Sequence, residues 1–221
     1  MSDFINRSID NLYKITVLDE YMIGHKGFIA GGCFKNLFNN EKIKDIDIFF
    51  EDAINYIEAD EYYSENDDYY FYYNSKKVKA YKNRKTNIVV ELINSVYGTP
   101  EEIIKSFDFT ITKFAYFKQI TKTDESEPWF AEPAFPEGHT DNVTTEYRLL
   151  HHKDYFEHLF FKRLVIDSNL KFPNSTFERA LKYKGYGYGL CKKSKLKLIE
   201  AIKSSNNPND KLTESLYDGT D

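Results

Sequence analysis

Residues 31–37 read Gly-Gly-Cys-Phe-Lys-Asn-Leu, and residues 44–50, after a short polar gap, read Lys-Asp-Ile-Asp-Ile-Phe-Phe. The second segment has the apolar residues of a strand, in which successive side chains point to opposite faces. Asp45 and Asp47 should therefore project together, about 6 to 7 Å apart at the backbone, while the isoleucines beside them enter a core. The pattern predicts a strand that carries two acidic side chains on one face.

Two carboxylates at that spacing suit divalent cations. Mg²⁺ prefers oxygen ligands and usually takes one or two protein carboxylates, with phosphates and water completing its octahedron. Two such ions about 3.5 to 4 Å apart can stabilise the attacking and leaving oxygens of an in-line displacement at phosphorus. We therefore predict that Asp45 and Asp47 are catalytic and hold two ions, Mg²⁺ or Mn²⁺. An isolated Asp-x-Asp is also common on a solvated strand face.

The glycine pair precedes a short predicted helix, from about residue 33 to residue 39, and follows a short predicted strand at residues 27–30. Glycine lets a phosphate approach the backbone closely, and a helix start presents unpaired N–H groups. Gly31 and Gly32 are accordingly predicted to cradle the β and γ phosphates of a nucleoside triphosphate. Most glycine pairs taken singly are simply turns, so this prediction depends on the strand, helix and strand occurring in order.

A third carboxylate is available in residues 87–93, Asn-Ile-Val-Val-Glu-Leu-Ile. Glu91 should share a strand face with Val89 and Ile93, and a carboxylate among apolar neighbours costs free energy unless it is paired. A shared metal would supply that pairing, and Glu91 could then accept the proton of an attacking hydroxyl. The alternative is an edge-strand glutamate that faces water or a lysine.

The segment from Gly31 through Asp47 resembles the signature of the DNA polymerase β nucleotidyltransferase superfamily, in the branch of bacterial CCA-adding enzymes and poly(A) polymerases. That branch has Gly-Gly-x-Val-Arg-Asp-x-Leu, a gap and Asp-Ile-Asp; this chain keeps the glycines, Leu37 and both aspartates. Residues 107–116, Phe-Asp-Phe-Thr-Ile-Thr-Lys-Phe-Ala-Tyr, similarly resemble the branch's Arg-Asp-Phe-Thr-Ile-Asn-Ala-Leu-Ala-Tyr. Together the matches cover about residues 24–117.

The resemblance implies transfer of a nucleoside monophosphate to a hydroxyl, with release of pyrophosphate. It assigns contact with the nucleotide sugar to Asp108 and Thr110, and leaves open whether Glu91 or Asp108 completes the carboxylate set. Lys35 would neutralise phosphate charge where the branch has arginine nearby. The implied acceptor is an RNA 3′ end, with tRNA favoured.

The chain also departs from the branch. The arginines before the second motif are replaced by Ser106 and Phe107, and Glu51-Asp52 lies too early to serve as the Glu-Asp-x-x-Arg element that reads cytosine and adenine. CCA addition itself is therefore not expected. Two further hypotheses stay open. The protein could transfer a nucleotide to a protein or small molecule, as toxins and antibiotic-modifying enzymes do, or it could be an inactive relative that binds nucleotide or protein.

Positive charge is concentrated near the end of the chain. The overall formal charge is −5, but lysines concentrate near the end of the chain, beside several tyrosines. Lys182, Lys184, Lys192 and Lys193 are possible RNA contacts, because lysines meet phosphates while unstacked bases lie on rings. They could equally form a solvated surface.

The tyrosine-rich run at residues 69–73 predicts a strand, in a hairpin with residues 76–81. Its rings either pack against the protein or stack on a base.

We predict an α+β fold, with a mixed sheet of about five strands backed by helices and a smaller helical C-terminal lobe. The expected units are a catalytic domain at 1–120, a loop or insertion at 121–146, a basic helical lobe at 147–203 and a disordered tail at 204–221. Within the lobe, residues 153–165 carry a helical apolar stripe.

No apolar run of about 18 residues and no signal peptide is evident, so a cytoplasmic protein without a membrane partner is expected. Two cysteines, Cys33 and Cys191, are too few for a disulfide framework, and the sequence leaves the oligomeric state open.

Overall fold

A computed structural model describes residues 12–122, 143–167 and 170–205 of the chain. Its main sheet has seven strands, in the order β3-β4-β5-β2-β1-β6-β7. These strands are β1 (Phe28–Ala30), β2 (Asp45–Phe50), β3 (Tyr69–Asn74), β4 (Val78–Asn83), β5 (Val89–Tyr97), β6 (Phe114–Lys122) and β7 (Val143–His151). The predicted α+β class is confirmed, and the sheet is larger than the five strands expected.

Helices pack on both faces of this sheet; some precede or separate its strands in the chain and the last three follow it. They are a 3₁₀ helix at Leu12–Met22, α1 (Cys33–Phe38), α2 (Ala53–Glu65), α3 (Pro100–Ser106), a short 3₁₀ turn at Thr110–Thr112, α4 (Tyr155–Phe160), α5 (Pro173–Gly185) and α6 (Lys192–Ser204). Two short parallel strands, β8 (Arg163–Leu164) and β9 (Gly189–Leu190), join the C-terminal helices.

The pairing of β2 with β5 positions the acidic residues. These two strands run parallel, whereas the other pairings in the seven-stranded sheet are antiparallel. A parallel pair needs a crossover, which α2 and the β3–β4 hairpin provide. In the resulting register Asp45 lies beside Val89, and Asp47 lies beside Glu91. Paired residues point to the same face, so both aspartates share a face with Glu91.

One face of the sheet is a closed apolar core. Ile46, Ile48, Val90 and Leu92 are fully buried there. They pack with residues of the first 3₁₀ helix and of α2, including Leu18 and Tyr63. Alternation along β2 and β5 therefore sends the apolar side chains to this face, as the sequence predicts.

The opposite face is covered over part of its area. Phe28, Phe49 and Ile93 are buried against Ile103 and Ile104 of α3. A capping box fixes the start of α3: the Thr99 hydroxyl accepts from the Glu102 N–H, and the Glu102 carboxylate accepts from the Thr99 N–H. The cover ends before Asp45, which is exposed, and Asp47 and Glu91 are half-buried.

The C-terminal part differs from the sequence prediction in its details. The apolar stripe at 153–165 forms a helix over Tyr155–Phe160, after which Lys162 adopts a positive φ of 52° and the chain enters β8. β6 and β7 form a hairpin whose strands extend into both ends of the predicted 121–146 loop and past the expected boundary at 147. Residues 123–142 of that loop, and 206–221 of the predicted tail, lie outside the described residues. Within the described ranges, no helix is both long and apolar enough to cross a membrane.

Candidate active site

Asp47 and Glu91 form the centre of the acidic face. They lie side by side in register on parallel strands, so their side chains share one face of the sheet. Burial raises the pKa of Asp47 well above its usual range, and the nearby carboxylates of Glu91 and Asp45 raise it further. Both burial and like charge disfavour the ionised form of Asp47. The structure thus brings together the three carboxylates that the sequence singles out.

This arrangement fits a divalent cation in its donor chemistry. Carboxylate oxygens are the ligands that Mg²⁺ prefers, and a cation between Asp47 and Glu91 would remove the repulsion that raises the Asp47 pKa. Among the described residues, no three His, Cys, Asp or Glu side chains already stand in a metal-binding arrangement. Sharing an ion therefore requires a side-chain reorientation, which the exposed position of Asp45 allows.

Tyr73 belongs to the site, although the sequence identifies it only as part of a strand. Its hydroxyl donates a hydrogen bond of 2.5 Å to Oε1 of Glu91. Burial, followed by the hydrogen bond and charge of Glu91, raises the pKa of Tyr73 above its usual value. The contact depends on β4 lying between β3 and β5, which no local pattern predicts. Tyr73 therefore holds one oxygen of the third carboxylate in place.

Gly31 lies directly against the acidic pair. Its φ is +100°, and a Cβ atom built there would lie 3.4 Å from Oδ2 of Asp47. Its N–H donates to the carbonyl of Phe114 at 3.0 Å, so this glycine offers close approach rather than a donor. Gly32 caps the six-residue helix α1, and a Cβ built there would lie 3.7 Å from the Tyr183 hydroxyl.

Lys35 points away from this centre. Its side chain is 6% exposed, and its ammonium lies 2.6 Å from a Glu41 carboxylate oxygen. The ammonium also lies 4.9 Å from the centre of the Tyr186 ring. Glu41 therefore already neutralises the charge that the sequence assigns to phosphate.

Asp108 and Thr110 have different environments. Oδ2 of Asp108 accepts hydrogen bonds from the Thr176 hydroxyl and from Nε of Arg179, each at 2.8 Å. Thr110 has no exposed surface, and its hydroxyl shares a 2.7 Å hydrogen bond with Nδ1 of His158. In this conformation Thr110 can reach no sugar, and it serves instead to pack the second motif against α4.

Helix α5 approaches Gly32 through Tyr183 and carries Lys182, whose charge reaches Asp47. The charge of Lys182 lowers the pKa of Asp47 and so opposes the effect of the neighbouring carboxylates. Burial raises the pKa of Tyr183, and the charges of Asp108 and Asp47 add to the effect. Lys182 was predicted for RNA contact, and in the structure it is an exposed residue of α5 whose charge is felt by Asp47. Lys184, Lys192 and Lys193 are exposed farther along the chain.

Solved structures similar to this chain include CCA-adding enzymes, which are nucleotidyltransferases. A CCA-adding enzyme in its apo form I matches with a TM-score of 0.55 and 15% identity, over 89% of this chain and 42% of its own. A CCA-adding enzyme in complex with ATP matches with a TM-score of 0.55 and 16% identity, over 90% and 44%. This chain therefore shares the fold of these nucleotidyltransferases, as the motifs predict.

A family model described as Gabija anti-defense 2 family protein matches residues 3–162, and the chain belongs to this family. The protein named Gabija anti-defense 2 from Bacillus phage SPbetaL7 is 25% identical over 186 residues. That alignment covers 82% of this chain and 38% of the phage protein, so the chain spans well under half of that relative. The family is thus distinct from the CCA-adding branch that the motifs resemble.

Proposed function

We propose that this protein is a metal-dependent nucleotidyltransferase that moves a nucleoside monophosphate from a nucleoside triphosphate to a hydroxyl group. The observation that supports this most directly is the side-by-side position of Asp47 and Glu91 on the open face of a fold shared with nucleotidyltransferases, with the pKa of Asp47 raised well above its usual range. Such perturbed carboxylates are typical of functional sites. The fold is shared with nucleotidyltransferases, and nucleotidyl transfer is the activity that we propose for it.

Each acidic residue has a separate task in the proposed reaction. Asp45 and Asp47 hold Mg²⁺ or Mn²⁺, which when bound stabilise charge on the attacking and leaving oxygens. Glu91, oriented by Tyr73, completes the set and accepts the proton of the attacking hydroxyl. A bond forms between that oxygen and the α-phosphorus, while the bond to the β-phosphate bridging oxygen breaks and pyrophosphate leaves.

The triphosphate is proposed to lie on the α5 side of the carboxylates. Gly31 and Gly32 present no side chain there, and Lys182 supplies positive charge in place of the Glu41-paired Lys35. Asp108 keeps its proposed contact with the nucleotide sugar, with Oδ2 held by Thr176 and Arg179 so that Oδ1 is the oxygen assigned to the ligand.

We propose an RNA 3′ end as the acceptor, with tRNA favoured because some structural neighbours are complexes with tRNA. Lys184, Lys192 and Lys193 are proposed contacts with that RNA. Membership of the Gabija anti-defense 2 family supports a second candidate, in which the hydroxyl belongs to a protein of the Gabija defence. In either case the modification would oppose that defence.

The test is to incubate the protein with each α-labelled nucleoside triphosphate, Mg²⁺ or Mn²⁺, and either total RNA or lysate of cells that carry Gabija. Label on RNA supports the first acceptor, and label confined to protein transfers the proposal to the second. Glu58→Gln, at an exposed carboxylate of α2, is the matched control for Asp47→Asn. If neither fraction is labelled and Asp47→Asn retains the anti-defence effect in cells, the protein is an inactive relative and the proposal fails.

A further inference from the structure

A second feature occupies the same face of the sheet as the carboxylates. Tyr70 pairs with Lys82, and Tyr73 pairs with Ala80, which in turn pairs with Glu91. Because cross-strand partners point to the same face, Tyr70, Lys82 and Tyr73 lie on the face of the acidic centre. β3 ends the strand order and so forms an edge of the described sheet.

An irregularity in β3 adds a second exposed ring to this face. The register shifts between Phe71 and Tyr73, so that Tyr72 is an extra residue in the strand. The Lys82 ammonium lies 5.2 Å from the centre of the Tyr72 ring, which places that ring on the Lys82 side. The guanidinium carbon of Arg84 lies 5.1 Å from the centre of the Tyr70 ring. We call these four residues, Tyr70, Tyr72, Lys82 and Arg84, the β3–β4 aromatic surface.

These rings are not core residues. Tyr72 is 44% exposed and Tyr70 is 36% exposed. Phe71, between them, pairs with Tyr81 and contacts its ring edge-on, on the opposite face of the sheet. Two exposed rings, each beside a cation, thus lie on the carboxylate face, and the intervening ring faces away from it.

Exposed rings interleaved with cations match single-stranded nucleic acid. Each base has an apolar face that can stack on a tyrosine, and each phosphate can pair with lysine or arginine. Double-stranded nucleic acid keeps its bases stacked on one another and offers no such faces. A protein partner would gain from the rings but would need acidic groups for both cations.

The position of the surface also indicates which substrate it serves. β3 and β5 are two strand spacings apart, about 10 Å, and Tyr73 bridges the interval through its hydrogen bond to Glu91. The glycine pair, assigned above to the triphosphate, directly follows β1, which lies on the other side of β2 from β5 in the strand order. The aromatic surface is therefore on the side from which the acceptor hydroxyl must approach Glu91.

We infer that the β3–β4 aromatic surface binds the single-stranded 3′ end of an RNA acceptor and directs its terminal hydroxyl towards Glu91. The binding part of this inference stands on the surface itself, and the delivery part rests on the proposed nucleotidyltransferase function. The incoming strand stacks its last bases on Tyr70 and Tyr72, and its phosphates pair with Lys82 and Arg84.

Binding is measured with the full chain and a short fluorescent single-stranded RNA, without nucleotide, in the Asp47→Asn background so that no transfer can occur. The double variant Tyr70→Ala/Tyr72→Ala should bind at least about thirtyfold more weakly, as expected for loss of two stacked bases. Tyr72→Trp should bind as well as the parent or better, because it keeps the ring. Phe71→Ala is the matched control, and it should leave binding unchanged because its side chain lies on the other face.

Salt dependence and strand type give independent readouts. Lys82→Gln should reduce the slope of log K against log salt by about 0.7, as expected for one lost phosphate contact to a single strand. Duplex RNA of the same sequence should bind more weakly than the single strand. Single-stranded DNA compared with RNA in the transfer assay then separates recognition of the sugar from stacking and charge. Circular dichroism and thermal melting establish that each variant is folded.

The inference is overturned if the double tyrosine variant binds RNA as tightly as its parent, if Phe71→Ala weakens binding equally, or if duplex RNA is preferred. These outcomes are distinguishable from failure of the proposed function. Tyrosine-dependent RNA binding without any nucleotide transfer would retain the surface and reject the chemistry. Asp47-dependent transfer to protein, with RNA binding insensitive to the tyrosines, would retain the chemistry and reject the surface.

Discussion

The two faces of the seven-stranded sheet use alternate residues of the same strands in opposite ways. On the core face, Ile46 and Val90 are fully buried. On the other face, their neighbours Asp47 and Glu91 are half-buried beside each other, and the pKa of Asp47 is raised. Burial on the apolar face supplies the stability that allows the carboxylate face to hold an unfavourable cluster of acidic groups.

The two faces also differ in the hydrogen-bond partners that they give to a titratable group. His25 on the core side is buried and neutral: its Nδ1 accepts from the Gly27 N–H, so the proton lies on Nε2, near the Tyr21 carbonyl. Burial, and then the charge of Lys118, lowers its pKa to about 4. Among the residues that the structure describes, no comparable hydrogen-bond donor satisfies Asp47, and a bound cation would balance the charge of its carboxylate.

The largest effect should come from removing the charge of Asp47. Asp47→Asn should reduce nucleotide transfer by about a thousandfold or more, because one ligand of both the metal and the transition state is lost. In metal-free buffer the same variant should melt at a higher temperature than the wild type, because the repulsion with Glu91 and Asp45 is removed. Transfer is measured with labelled triphosphate, and melting by calorimetry.

Mg²⁺ sharpens this prediction. The ion should raise the melting temperature of the wild type and leave that of Asp47→Asn nearly unchanged, since only binding to the native state stabilises it. Equal stabilisation of both proteins would show that the ion binds elsewhere, and the two faces would then differ less than the structure indicates.

The next largest effect should be a loss of folding stability in acid, caused by protonation of His25 on the core face. Unfolded histidine has a pKa of about 6.5, and His25 in the fold has one of about 4, so the unfolded state takes up the proton first as pH falls. The stability that His25 contributes is present above pH 6.5 and is lost between 6.5 and 4, at most about 3 kcal/mol. Urea unfolding across that range measures it. His25→Gln, which does not titrate, should flatten this part of the profile, and an unchanged profile would refute the assignment.

Loss of the Tyr73 hydroxyl should have a smaller effect on transfer. Tyr73→Phe removes the 2.5 Å hydrogen bond to Glu91 and should lower kcat about tenfold, the value of one charged hydrogen bond. KM for the triphosphate should change little, because Tyr73 lies on the acceptor side. A rise in KM without a fall in kcat would contradict the proposed role of Tyr73 in positioning Glu91.

The smallest effect should come from Lys182. Lys182→Gln should raise KM for the triphosphate about threefold, in keeping with the modest strength of exposed ion pairs. The effect should weaken as salt is added. Lys203→Gln, at an exposed lysine near the end of α6, is the matched control. Equal changes in both variants would indicate a general charge effect rather than a phosphate contact.

Local patterns predicted the parts of the site that local geometry controls. The alternation in residues 45–50 placed both aspartates opposite the core, and the order of strand, glycine pair, helix and strand indicated the class. Predictions for Lys35 and Thr110 came from a motif match alone. Their actual partners, Glu41 and His158, depend on how segments pack, which the motif does not encode.

The sequence by itself therefore determined the strand that carries Asp45 and Asp47, the glycines before it, and the α+β class, because period-two alternation and glycine conformations are local properties. Only the tertiary structure decided that Asp47 lies beside Glu91, that Tyr73 holds Glu91, and that the charge of Lys182 on α5 reaches Asp47. These contacts join segments far apart in the chain, and their register is set by burial of the whole sheet rather than by any one segment.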